Sequence, residues 1–222
     1  MKKSDVWAVV PARNEQKNIA DVIKKAKKYV GNVVIVDDGS TDNTRELAEK
    51  SGAIVLPHIV NLGKGAALKT GCDYAFKNGA KYAVVLDADS QHRSEDIPRF
   101  IEKLLKYDIV FSYRKASSKM PLVLRLGNLF ISNVVKVLYG IGLNDTQCGF
   151  RAFSKEAYKK IRWNAPDYSM ESEMISRAGK QSLKYVQIPI QTIYSDMYKG
   201  TTIIDGMKIV LNMIWWKLFN SK

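Results

Sequence analysis

Three short apolar runs, each breaking at its carboxyl end into a polar cluster and then into a helical pattern, constrain the fold more than any other feature of this chain. Val6–Val10 runs into Pro11–Glu15, Val33–Val36 into Asp37–Asp42, and Tyr82–Leu86 into Asp87–Gln91. Between the first two, Ile19, Val22, Ile23 and Ala26 recur at helical spacing, with Gly31 as a stop. Asp42–Ser51 reads as a second helix closed by Gly52, Ala53–Leu56 as a strand, and Gly63-Lys64-Gly65 opens a third helix that ends at Asn78-Gly79. Strands alternating with helices predict an α/β sheet, mostly parallel. Ligands of such sheets bind outside the carboxyl ends of the strands. The three polar clusters are therefore expected to converge on one crevice.

The remainder is less regular. Ser94 is placed to cap a helix whose first turn carries Glu95 and Asp96, which suits the helix dipole. Asp108–Ser112 reads as a strand, and Tyr185–Tyr194 as another in which Pro189 marks an edge or a bulge. Pro121–Leu143 is rich in Leu, Val and Ile but carries Arg125 and Lys136. Ile203–Phe219 has a broad apolar helical stripe that ends in Trp215-Trp216. Residues 1–200 are read as one folded unit and 201–222 as an appended amphipathic helix.

Composition narrows the class of partner. The 222 residues suffice for one well-buried domain. Cys72 and Cys148 are far apart and read as structural thiols, and neither His58 nor His92 has a partner at zinc-ligand spacing. The amino terminus lacks an apolar stretch of signal-peptide length, and no run approaches the ~18 apolar residues of a membrane span. The chain is expected on the cytoplasmic side. Lys and Arg outnumber Asp and Glu by 35 to 22, for a net charge of +13, which favours nucleotides, nucleic acid or an anionic membrane surface. Nucleic acid is the poorest of these, because acids gathered at strand ends would repel its phosphates.

Asp87, Asp89 and Gln91 alternate after the apolar Ala83–Leu86. If extended geometry persists, three oxygen donors face one way. Such oxygens suit Mg2+ or Mn2+, often shared with substrate phosphates. The alternative is a solvated acidic turn.

Pro11-Ala12-Arg13-Asn14-Glu15, Val36-Asp37-Asp38-Gly39-Ser40-Thr41-Asp42, Asn61-Leu62-Gly63-Lys64-Gly65 and Asp87-Ala88-Asp89-Ser90-Gln91-His92, in this order, resemble family 2 glycosyltransferases. Asp145-Thr146-Gln147-Cys148-Gly149-Phe150-Arg151 narrows the resemblance to polyprenyl-phosphate glycosyltransferases similar to dolichol-phosphate mannose synthase. The resemblance spans roughly residues 6–200 and implies a GT-A fold, a Rossmann-like sheet flanked by helices. It assigns nucleotide contacts to Pro11, Arg13, Glu15, Val36 and Asp38. It makes Asp89 and Gln91 the protein ligands of a divalent metal, and places Asp87 and Ala88 beside the nucleotide sugar. Arg114 matches an arginine that binds the donor diphosphate, and Arg125 a basic residue for the acceptor phosphate, although a solvent-facing helix position explains Arg125 equally. Lys199 falls in a region that closes over the donor in relatives, but the Ser-Lys pair common there is missing. Asp145 and Gln147 are expected to line the sugar pocket.

Several residues keep a second reading. Asp38 suits a turn, and Asn14 a helix cap. Glu171 and Glu173 suit either catalysis or a favourable first helical turn. Gly63-Lys64-Gly65 lacks the rest of a phosphate loop, so a structural use of its glycines is at least as good.

The implied activity is an inverting transfer of mannose or glucose from GDP-mannose or UDP-glucose to a polyprenyl or dolichyl phosphate. Asp87, Asp89 and Arg114 would carry the chemistry. A phosphate acceptor is already anionic, so no strong general base is required. The alternatives are a soluble or saccharide acceptor and, at greater remove, a nucleotidyltransferase, whose Gly-rich basic loop is missing after the first strand. The apolar tail with its Trp pair predicts a peripheral position at the cytoplasmic membrane face. Its alternative is packing on the domain's own core or on another subunit.

Overall fold

The structure is a computed structural model that describes residues 1–114, 122–191 and 210–217. The first strands and helices follow the expected alternation: β1 (Val6–Ala12), α1 (Ile19–Ala26), β2 (Asn32–Asp38), α2 (Thr44–Lys50), β3 (Ile54–His58), α3 (Lys64–Lys77) and β4 (Tyr82–Val85). Then come α4 (Ile97–Lys103), β5 (Ile109–Arg114), α5 (Leu122–Tyr139), β6 (Arg151–Ser154), α6 (Lys155–Ile161), α7 (Met170–Lys180) and β7 (Tyr185–Ile190). A further helical segment covers 210–217.

The strands form one seven-stranded sheet in the order β3-β2-β1-β4-β6-β5-β7. β3, β2, β1 and β4 are mutually parallel, β6 runs antiparallel to both β4 and β5, and β7 is parallel to β5. Pro189 sits in β7 at the sheet's edge, where its missing N–H does no harm. The chain moves outward from β1 through β2 to β3, then crosses back to place β4 on the other side of β1. That reversal opens a crevice at the carboxyl ends of β1 and β4.

Both faces of the sheet are covered, so strand residues are apolar in succession rather than alternately. Along β1, Trp7 and Val9 face a core built with α3, α5, α6 and α7, while Val6, Ala8, Val10 and Ala12 face one built with α1, α2 and α4. Met213 of the 210–217 segment is completely buried in the first of these cores. The packing reading of the tail thus holds for one side of that segment. Leu211, Ile214 and Trp215, on the other side, are 67%, 41% and 59% exposed. The expected division at residue 200 and Lys199 lie outside the described residues. Among the described residues, no helix is long and apolar enough to cross a membrane.

Candidate active site

The crevice has a volume of about 410 Å3 and is lined by Pro11, Arg13, Glu15, Asp38, Asp87, Ala88, Asp89, Gln91 and Arg114, as the sequence predicts. Asn61, Lys64, His92, Gln147, Asp167 and Tyr168 also line it. Val36 does not belong to this set. It is completely buried and its side chain packs into the core beneath, with Ala67 and Leu68 of α3. Val36 shares its strand face with Asp38 but lies two residues deeper, where α3 covers that face, so only the strand's end reaches the crevice.

The loops after β1 and β2 are tied to each other. Asn14 adopts φ 56°, a left-handed conformation that Asn tolerates. Its Oδ1 accepts the Thr41 N–H at 2.8 Å, and its own N–H donates to Ser40 Oγ at 3.0 Å. The Glu15 N–H donates to Thr44 Oγ1 at 2.8 Å, and Thr44 in turn is held by Asp42. Asn14 is therefore neither a helix cap nor a crevice residue; it clamps two strand-end loops. Glu15 is buried beside the crevice and accepts from Asn18 Nδ2 at 2.8 Å. Asp38, 4% exposed, accepts from His58 Nδ1 and from the N–H groups of Leu62 and Gly63. It organises its surroundings well beyond a simple turn.

At the other end of the crevice the geometry corrects an expectation. β4 stops at Val85, and Asp87–Gln91 form an irregular turn in which Ser90 has φ 61°. Asp87, Asp89 and Gln91 reach the crevice by that turn and not by strand alternation. The Gln91 N–H donates to Asp89 Oδ1 at 3.0 Å. The two carboxylates differ in character. Asp87 meets Lys64 Nζ at 2.8 Å. Burial would raise its pKa, but attraction to Lys64 and then His92 outweighs this and holds it below the usual range. Asp89 is pushed above the usual range, chiefly by burial and next by repulsion from Asp87.

Lys64 is the cation at the centre. Its ammonium lies between Asp87 at 2.8 Å and Glu171 at 3.1 Å. Burial works against its charge, yet the two carboxylates raise its pKa well above the ordinary lysine value. Glu171 is 3% exposed at the side chain, and its Oε2 has no hydrogen-bond partner. The first-turn reading therefore understates Glu171, which is the internal counter-charge of Lys64. It fits Glu173 better: that carboxylate accepts from the Asn164 and Ala165 N–H groups and from Arg177. The glycines beside Lys64 are structural. A Cβ on Gly65 would lie 2.3 Å from the Ala165 carbonyl oxygen, and Trp163 Nε1 donates to Gly65 O at 2.8 Å.

Arg114 lines the crevice, and its Nε and NH2 form a fork onto Asp145 at 2.6 and 3.2 Å. Asp145, 4% exposed, lies behind Arg114 and not on the lining, so of the expected sugar-pocket pair only Gln147 faces the crevice. Arg151 of the same segment is buried, its guanidinium spent on the carbonyls of Thr146, Cys148 and Glu171. Arg125 lies within α5. His92 is buried at the side chain, accepts the Asp87 N–H at 3.3 Å, and lies 3.8 Å from the Asp87 carboxylate. Burial lowers its basicity, but Cys148 and Asp87 more than restore it.

Among the described residues, no group of three or more His, Cys, Asp or Glu side chains could hold a metal ion alone. The donor set of Asp89 and Gln91 nonetheless suits a hard cation that shares its remaining ligands with phosphate oxygens. Asp89 fits this use, because Asp87 repels it while Lys64 is engaged by Asp87 and Glu171.

The model of glycosyl transferase family 2 matches residues 7–162, and the chain belongs to that family. It is 40% identical to an uncharacterised protein of Methanocaldococcus jannaschii, over 99% of this chain and 95% of that one. It is 34% identical to a UDP-N-acetylglucosamine–dolichyl-phosphate N-acetylglucosaminyltransferase of Methanococcus voltae, over 96% of each. Glucosyl-3-phosphoglycerate synthase of Mycobacterium tuberculosis, solved with Mg2+ and UDP, superimposes with a TM-score of 0.76 at 20% identity, covering 96% of this chain and 79% of that one. The fold is the GT-A fold.

Proposed function

We propose that this family 2 glycosyltransferase moves a sugar, with inversion, from a nucleotide sugar to a polyprenyl phosphate. The observation that carries this reading is the division of labour across one crevice. Asp38 stands in a hydrogen-bonded frame at one end, and a cation-paired Asp87 with an unneutralised Asp89 stands at the other. A nucleoside diphosphate sugar needs both ends: N–H acceptors for a base, and a place for a metal at the diphosphate. The relative from Methanococcus voltae supports a uridine donor and adds N-acetylglucosamine to the mannose and glucose expected from sequence.

Asp89 and Gln91 would hold Mg2+ or Mn2+, which when bound would supply Lewis-acid stabilisation of a diphosphate leaving group. Arg114 is prepositioned by Asp145 to stabilise the charge that develops there. Lys64 and Asp87, on the crevice lining between these groups, would face the sugar and the first phosphate. The acceptor phosphate needs no deprotonation, which matches a crevice whose His92 is committed to Asp87. The acceptor's lipid also gives a use to the exposed Leu211, Ile214 and Trp215, and we read the enzyme as peripheral at the cytoplasmic face of the membrane.

The test is a donor and acceptor screen with purified protein and Mn2+. UDP-N-acetylglucosamine, UDP-glucose and GDP-mannose are each offered with a polyprenyl phosphate and with free saccharides. Product on the polyprenyl phosphate alone is expected. Transfer to saccharides and not to the lipid would establish the alternative acceptor class.

A further inference from the structure

We infer that His58 is a positioning residue for base recognition: it fixes the carboxylate of Asp38 so that one acceptor site remains for an N–H of the donor's base. The inference rests on the nucleotide-sugar reading above and extends it to a residue outside the crevice lining.

The strand register places the pair. β2 and β3 are parallel, and His58, the last residue of β3, is the direct partner of Asp38, the last residue of β2. The two side chains are 10% and 6% exposed, and Nδ1 lies 2.8 Å from Asp38 Oδ1. An ionised carboxylate only accepts, so Nδ1 carries the proton. Nε2 lies 3.1 Å from Thr70 Oγ1 of α3, which fixes the ring from its far side.

The rest of the frame comes from the loop between β3 and α3. The Leu62 N–H donates to Asp38 Oδ1 and the Gly63 N–H to Oδ2, each at 2.9 Å. The loop lies so close to the β2 end that a Cβ on Gly39 would stand 2.7 Å from the Asn61 nitrogen. Oδ1 thus has two donors and Oδ2 one. A carboxylate oxygen has about two lone-pair sites, so the open one is on Oδ2. Asp38 lines the crevice, where that site can receive an N–H. Without His58, Oδ1 loses its one side-chain donor, and the carboxylate is aimed by the two loop N–H groups alone.

The side-chain amide of Asn places a nitrogen where His has Nδ1, whereas Gln places one where His has Nε2. Calorimetry of Mn2+–UDP and of Mn2+–inorganic diphosphate is therefore run on the parent, His58→Gln and His58→Asn. We expect His58→Gln to lose about tenfold in UDP affinity, the size of one hydrogen bond to a charged group, with diphosphate binding unchanged. His58→Asn is expected to remain within about threefold of the parent for both ligands. Thr70→Val provides a variant with the ring retained, and its UDP affinity is expected to fall without a change for diphosphate. The inference is overturned by parental UDP affinity in His58→Gln, by equal losses in the Gln and Asn variants, or by parallel losses of UDP and diphosphate. The same series is run with Mn2+–GDP where the parent prefers it, with the same expectations, and failure of the parent to bind either nucleotide would instead sink the nucleotide-sugar reading itself.

Discussion

Replacing Lys64 with Met removes the ammonium from between two carboxylates while keeping most of the side-chain volume. At an effective dielectric of ~20, contacts of 2.8 and 3.1 Å correspond to gross attractions of about 6 and about 5 kcal/mol. Desolvation of the three groups cancels most of this. What remains is the cost of leaving buried charge uncompensated, which runs to about 3–5 kcal/mol when one partner of a buried pair is lost. The parent's dependence on pH follows from two directions. Asp87 is lowered, so its contribution is present above the unfolded carboxylate range and is lost as pH falls through its folded value. Lys64 is raised, so its contribution is complete below the unfolded lysine value and is lost only as pH rises through the folded one. Between about pH 5 and 10 neither Asp87 nor Lys64 should thus change the parent's stability. His92, raised beside Asp87, adds a contribution complete below the unfolded imidazole value and lost as pH rises through its folded one; measuring the parent at both pH values subtracts it. In Lys64→Met, burial pushes Asp87 upward instead, and protonation relieves the variant as the solution is acidified. Urea unfolding at pH 7.5 and at pH 5 measures both. The expected loss is about 3 kcal/mol at the higher pH and clearly less at the lower one. A loss below about 1 kcal/mol, or one that is the same at both pH values, would show that the cluster is solvated and not an internal counter-ion system.

Asp89→Asn should abolish metal-dependent transfer and yet raise the melting temperature at pH 7, since the folded state holds Asp89 above its usual pKa; that gain should fade as the pH nears the unfolded carboxylate value, and retained activity would remove Asp89 from the metal site. Arg114→Lys keeps the charge but loses the fork onto Asp145, so UDP affinity should drop by about tenfold or more in calorimetry, and an unchanged affinity would place Arg114 outside donor binding. Gly65→Ala drives a Cβ into the Ala165 carbonyl and should cost about 1–3 kcal/mol in urea unfolding; a neutral result would show that the 165–167 segment yields freely.

The parallel part of the sheet was legible because β1, β2 and β4 are buried on both faces and break sharply into polar loops. β6 was not. Its four residues begin with Arg151, a charge that reads as surface but is buried on three carbonyls. The crevice followed from strand ends, and Asp38, Asp87, Asp89, Gln91 and Arg114 were found there. Their partners were not, since nothing local links His58 to Asp38 or Glu171 to Lys64. These pairs exist only once β3 lies beside β2 and the 165–167 segment brings the first turn of α7 to the start of α3. Val36 differs for the opposite reason: it shares a strand face with Asp38, but it lies two residues deeper, where α3 covers that face, so its side chain belongs to the core and only the strand's end opens on the crevice.

The same packing decides how membrane attachment has to be tested. Removing everything after Gly200 would strip Met213 from the core, along with the hydrogen bond from Tyr139 to its carbonyl and that from Lys180 to the Trp216 carbonyl. A truncated chain that failed to bind lipid would then say little, because its core would be damaged. The exposed side of the 210–217 segment offers a cleaner perturbation. Leu211→Ser with Trp215→Ser alters two half-exposed or more exposed side chains and leaves Met213 in place. Burial of such side chains at an interface contributes about 1.5–3 kcal/mol apiece, less whatever contact they already make with the domain. The double variant should therefore lose tenfold or more, roughly, in partitioning onto anionic liposomes, while its urea midpoint stays near that of the parent. The +13 charge should leave a residual attraction that disappears at high salt. If parent and variant float equally on anionic liposomes, or if neither floats, the segment is a packing element alone and the lipid phosphate is met by some other surface.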